Sequence, residues 1–126
     1  MTRYFSEEEI LLVHFKLIER YGGAHGTRVL ERVRAVVAAP QQETFGEEQY
    51  TTLFEKAAVY ARNIIGDHPF ADGNKRTGIT VAVMFLQQNG QTFKAQKGEL
   101  EDFAVQVATE HLDVSAIATW LELHCV

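Results

Sequence analysis

The chain has 126 residues, enough for one domain with a real core, and its 46% hydrophobic and 23% charged residues are ordinary for a soluble globular protein. Its 17 Asp and Glu outnumber 12 Lys and Arg, which argues against a general nucleic-acid coat or adhesion to an anionic membrane; any basic site must be local. The one cysteine, Cys125, forms no internal disulfide and no cysteine-based zinc site, and it reads as a small, partly buried apolar residue in a reducing compartment. The N-terminus "MTRYFSEEEI" has no apolar leader core, and the longest purely apolar run, "VAVMFL" at 81–86, is too short to span a bilayer, so a soluble cytoplasmic protein is expected.

Taken in chain order, the elements are helices. Ser6 followed by Glu9 has the spacing of a capping box, and the acidic residues 7–9 suit the positive end of a helix dipole. Ile10, Val13, His14, Leu17, Ile18 and Tyr21 then repeat at helical spacing until Gly22-Gly23 stop the segment. A second helix is predicted after Thr27, using Leu30, Val33 and Val37 and ending before Pro40. "QQETFGEEQ" reads as a polar connector. Tyr50, Leu53, Phe54, Ala57, Ala58, Ala61, Ile64 and Ile65 trace a broad apolar stripe over 50–65, with Gly66 as its stop. A loop follows, and then a helix over 74–88 that is apolar almost all round, as a centrally buried helix is. "NGQTFKAQKG" carries the only strand-like piece. Helices over 99–110 and 115–124 close one all-α domain of 1–126. The tyrosines and phenylalanines are expected mostly in the core, and so is Trp120.

The chemistry concentrates in "GDHPFADGNKRTG" at 66–78. The first N–H groups of a helix lack partners and carry the positive end of its dipole. A Gly-Asn start leaves them open to an anion such as phosphate. Lys75 and Arg76 in the first turn are unfavourable for the helix alone, and a bound anion is the natural reason for them. Asp72 lies just before this hole, where a carboxylate beside phosphate oxygens holds Mg²⁺. His68 is tethered by Pro69 and Phe70, and histidine is the usual general base because its unperturbed pKa, about 6.5, lies near working pH. Together these groups suit transfer of a phosphorus centre. Each taken alone has a plainer reading: a surface histidine, an Asp-Gly turn or helix cap, a solvated basic face. Five compatible groups at one helix start outweigh those readings. His14, His25, His111 and His124 share no metal-ligand spacing and read as structural.

"HPFADGNKRT" resembles the signature H-x-F-x-[DN]-[GA]-N-x-R of the Fic/Doc superfamily, and specifically its Doc (death-on-curing) branch. "LIERYGG" at 17–23, "PQQETFG" at 40–46, "LFEKAA" at 53–58 and "FLQQNG" at 85–90 extend the resemblance over most of the chain. It implies a bundle of about six helices, in agreement with the reading of the elements. It further implies a toxin that moves the γ-phosphoryl of ATP to a threonine hydroxyl of a target protein, elongation factor Tu, and so arrests translation. Fic proteins instead transfer AMP and usually carry a second glycine where this chain has Lys75. By position, His68 would take the proton of the attacking hydroxyl and Asp72 would hold Mg²⁺. Gly73 and Asn74 would line the anion hole, Lys75 and Arg76 would bind phosphate, and Phe70 would hold the loop down. The implied partner is an antitoxin whose C-terminal segment folds as a helix into an apolar groove. One departure is "AHGTRVLERV", shorter than the family's Gly-x-Arg-Asp loop on the target-binding side, so it bears on which target is modified. AMP transfer of Fic type, or a non-catalytic antitoxin-binding module, are the alternatives.

Overall fold

Ser6 and Glu9 cap each other at the head of the first helix: the Ser6 hydroxyl accepts from the Glu9 N–H at 3.2 Å and the Glu9 carboxylate from the Ser6 N–H at 2.9 Å. The computed structural model describes residues 1–126 and has six helices: α1 (Glu7–Tyr21), α2 (Leu30–Ala38), α3 (Leu53–Asp67), α4 (Asn74–Gln88), α5 (Glu99–Glu110) and α6 (Val114–Leu123). The all-α expectation of about six helices is met.

Three local expectations are corrected. The connector at 41–49 holds the only ladder, a hairpin of β1 (Glu43–Thr44) and β2 (Glu47–Glu48). Its turn needs positive φ at both central residues, and Phe45 (52°) and Gly46 (80°) supply it. The segment near Phe93, expected to be strand-like, makes only an isolated bridge to Cys125. α2 ends at Ala38, before Pro40 as expected, and Pro40 falls inside the 3₁₀ turn that follows (Ala39–Gln41), where its missing N–H costs nothing. Gly66 does not stop α3: the helix starts at a second capping box, Thr52 with Glu55, runs through Gly66, and ends only where His68 turns left-handed at φ 48°. Among the aromatics, Phe15, Tyr21 and Phe45 are exposed, whereas Phe5, Tyr60, Phe70, Phe85 and Phe103 are buried. Trp120 is half-buried and stacks face to face on Phe103 at 3.9 Å.

α3 and α4 form the spine, with Ala57, Ala61, Ile64 and Ile65 on one side of their crossing and Thr77, Gly78, Val81 and Phe85 buried on the other helix. The helices meet at Gly78, where an added Cβ would stand 2.8 Å from Ile65 Cγ1 and 3.1 Å from the Ala61 carbonyl oxygen. Gly78→Ala would gain about 1 kcal/mol of helix propensity. Overpacking against a backbone carbonyl that cannot yield costs roughly 1–3 kcal/mol. A net loss of up to about 2 kcal/mol is expected, read by urea unfolding.

Two polar fasteners hold the outer elements in place. Buried Lys56 on α3 donates to the carbonyls of Tyr50 and Pro40 and to Glu48, so one ammonium pins the base of the hairpin. At the other end, His124 donates through Nδ1 to the Trp120 carbonyl (2.7 Å) and through Nε2 to Glu99 (2.8 Å). The Trp120 carbonyl, and then Glu99, raise the His124 pKa, while the Gln96 N–H and then His124 lower that of Glu99. The histidine's share is therefore complete below its ordinary 6.5 and fades as pH rises through the raised value. The carboxylate's share is complete above its ordinary 4.5 and fades as pH falls through the lowered value. Glu99→Gln should lower Tm most between pH 4.5 and 6.5, by roughly two degrees, and less well above the raised His124 pKa, where the ion pair is gone and only the Gln96 N–H still favours the carboxylate.

Candidate active site

The loop 68–73 is braced from three directions. Along one edge, residues 26–28 pair with it: Arg28 N–H donates to the Pro69 carbonyl (2.8 Å), Ala71 N–H to the Gly26 carbonyl (3.0 Å), and Thr27 bridges Phe70. From within, the Asn74 side chain spans Phe70 like a strand partner, accepting from its N–H and donating to its carbonyl, both at 3.1 Å. From beneath, Phe70 is fully buried and stacks on His14 of α1 at 3.8 Å, while His14 Nε2–H donates to the Asp72 carbonyl at 2.9 Å. That bond fixes the imidazole tautomer, and burial pushes the His14 pKa down, so the ring is a neutral donor.

The start of α4 is chemically open. No side chain caps it, and its first bonded amide is that of Thr77, which donates to the Gly73 carbonyl at 2.9 Å. The amides of Asn74, Lys75 and Arg76 are left without partners at the positive end of the dipole. Gly73 serves by conformation, with φ 75°, since its own N–H is taken by Asp72 Oδ1 at 2.8 Å. Asn74 offers the hole only its backbone N–H, because its side chain braces the loop.

Asp72 is exposed, and its two oxygens accept from the N–H groups of Ala24 (3.1 Å) and Gly73 (2.8 Å). Those two bonds, Ala24 first, hold its carboxyl below the usual carboxylate range, so it is ionised at neutral pH. No cluster of three or more His, Cys, Asp or Glu surrounds it. A metal held by the protein alone does not fit; a hard cation taking one carboxylate and the rest of its oxygens from a bound phosphate does.

Asp72, Gly73, Asn74, Lys75 and Arg76 all line one cleft of about 720 Å³ between α1, α4 and α5. Leu17, Ile18, Leu100 and Ala104 give it an apolar wall, and Arg20 adds a third cation. None of Arg20, Lys75 and Arg76 is in a salt bridge; the Arg76 guanidinium instead lies over the Tyr21 ring at 3.9 Å. His68 does not line the cleft. It stands exposed at the foot of α3, its imidazole free of hydrogen bonds, with the helix end beneath it capped by Arg32, which donates to the Asp67 carbonyl at 2.9 Å. The motif alone did not reveal His14, Tyr21, Ala24 or the strand-like edge at 26–28. One signal was visible, a histidine in the middle of the apolar stripe of α1.

Gly23 guards the carboxylate. It has φ 115°, and an added Cβ would come within 2.7 Å of Asp72 Oδ2. Gly23→Ala is expected to lower stability by about 1–2 kcal/mol through backbone strain and to push Asp72 off the Ala24 N–H. A carboxyl ¹³C titration should then show the Asp72 pKa rising back toward 3.8.

Comparison with known proteins bears on the same residues. A family model described as "Fic/DOC family" matches residues 4–86, which include the braced loop and the start of α4. A protein named "Protein kinase doc" from Escherichia phage P1 is 38% identical over 120 residues, 94% of this chain and 93% of that protein. A protein named "Toxin Doc" from Mycolicibacterium smegmatis is 33% identical over 123 residues, 96% of this chain and 92% of that protein.

Proposed function

The chain belongs to the Fic/DOC family, and on that footing we propose that it is a toxin of a type II toxin–antitoxin pair that transfers the γ-phosphoryl of ATP to a threonine hydroxyl of a target protein, elongation factor Tu. The observation that carries this reading is the open start of α4, where three unpartnered amides, Lys75 and Arg76 adjoin the ionised carboxylate of Asp72. The amides and the two cations bind the polyphosphate and offset charge that develops as the phosphoryl moves. A Mg²⁺ ion held by Asp72 would supply further charge neutralisation at the phosphate oxygens. His68 is exposed outside the cleft with its ring free of hydrogen bonds, and it takes the proton of the target hydroxyl. Lys75 in place of a second glycine favours the phosphoryl over the AMP product, because an ammonium fills the space and adds charge beside the hole. The relative named a protein kinase supports the same choice. The partner is an antitoxin whose C-terminal segment docks as a helix against an apolar groove of the toxin. The pair acts in the cytoplasm, where the target is.

The test is intact mass of elongation factor Tu after incubation with the protein, ATP and Mg²⁺, with His68→Ala as the control. A gain of about 80 Da that the variant does not produce supports phosphoryl transfer. A gain of one AMP unit replaces this reading with adenylylation, and no gain removes elongation factor Tu as the target.

A further inference from the structure

His14 is 4% exposed on the inner face of α1, 58 residues before the loop it touches. One imidazole meets three residues of that loop. It stacks on Phe70 with rings 5° from parallel, and its Nε2–H donates to the Asp72 carbonyl. Its edge also lies against Gly73, where an added Cβ would be 3.9 Å from Nε2 and Cδ2. A leucine or phenylalanine would fill the same space without the cost of burying a polar ring. What an apolar side chain cannot do is hold the Asp72 carbonyl.

That carbonyl fixes more than itself. The peptide between Asp72 and Gly73 is planar and trans, so its N–H points opposite to its C=O. With the C=O turned down toward His14, the Gly73 N–H is turned up, where Asp72 Oδ1 accepts it. Oδ2 is then presented to the Ala24 N–H. The same peptide leads directly into the left-handed Gly73 and the open amides of α4. We propose that His14 is a positioning residue: by gripping the Asp72 carbonyl it sets the rotation of the Asp72–Gly73 peptide, and through it the direction of the carboxylate and of the first α4 amides. The consequence for ligand binding rests on reading Asp72 and the α4 start as a magnesium–phosphate site; the positioning itself does not.

The test compares three variants with the parent. His14→Phe keeps the stack and loses the donor, and His14→Gln keeps a donor of similar reach. His14→Asn, polar but too short to reach the carbonyl, substitutes for His14→Phe if that variant does not fold. Amide hydrogen exchange at Ala24 and Gly73 reads the positioning. Calorimetric titration with a non-hydrolysable ATP analogue, with and without Mg²⁺, reads its consequence. In His14→Phe, both amides should exchange at least about 10-fold faster and the affinity in the presence of Mg²⁺ should fall about 10-fold, with a smaller fall without Mg²⁺, where only the α4 amides are misdirected. His14→Gln should restore most of both. Parent-like exchange at Ala24 and Gly73 in His14→Phe, or a His14→Gln variant no better than His14→Phe, overturns the proposal. If the parent itself binds no magnesium nucleotide, the kinase reading falls, and amide exchange alone decides the role of His14.

Discussion

Replacing His68 by glycine is expected to make the protein more stable and inactive at once. His68 ends α3 at φ 48°, a conformation that costs an L-residue about 1–2 kcal/mol and a glycine almost nothing. Glycine is also the usual residue where a helix stops this way. Its greater freedom in the unfolded chain takes back part of the gain, so the net stabilisation is about 0.5 kcal/mol. The imidazole makes no hydrogen bond, so nothing in the folded state is lost with it. If His68 is the general base proposed above, its loss lowers transfer by about 10²–10⁴-fold. Urea unfolding and a transfer assay on the same preparation check both halves. His111 supplies the internal comparison, because it ends α5 at φ 51° and lies outside the cleft. His111→Gly should gain similar stability with activity intact. A His68→Gly variant that is less stable than the parent would show that the strained backbone is not what its geometry indicates.

Phe70→Ala should give the largest loss of stability. The ring is wholly buried under the loop and stacked on His14, and removing it costs about 3–5 kcal/mol. That is a large part of the roughly 5–15 kcal/mol that holds a domain of this kind together. Activity should fall further than the remaining folded fraction explains, since the loop loses the floor on which Asp72 and Gly73 are set. Phe70→Leu, which keeps most of the volume, should cost under about 1.5 kcal/mol and retain activity. Thermal unfolding beside single-turnover transfer separates the two effects. A Phe70→Ala cost below 1 kcal/mol would mean that the loop does not depend on the core beneath it.

How much of this was legible in the sequence follows from the range of the forces involved. The residues of the loop and the start of α4 lie within nine positions, so chain connectivity alone puts them side by side. The capping box at Ser6 and the apolar stripes of α1, α3 and α4 are local patterns, and they folded as local patterns do. The braces on the loop are different. His14, Ala24 and Gly26 reach it across many residues of chain, and no spacing rule predicts which backbone group a buried histidine will hold. The hairpin at 43–48 escaped notice because Phe45 occupies a positive-φ turn position where asparagine or glycine would have announced it. Gly66 misled because its side-chain space is open solvent, so the helix passes through it at small cost and the stop falls two residues later, on a histidine.

The position of α5 has a consequence for how the protein comes into being. The loop, α4 and the α1 residues that brace them all lie within the first 88 residues, whereas Leu100, Glu101, Ala104 and Val105, the opposite wall of the cleft, are made afterwards. A chain growing from its N-terminus therefore carries every charged group of the motif before the cleft beside them has its second wall. Interrupted synthesis leaves fragments with the signature but only half a cleft. The cleft is in this way completed only once α5 has been made.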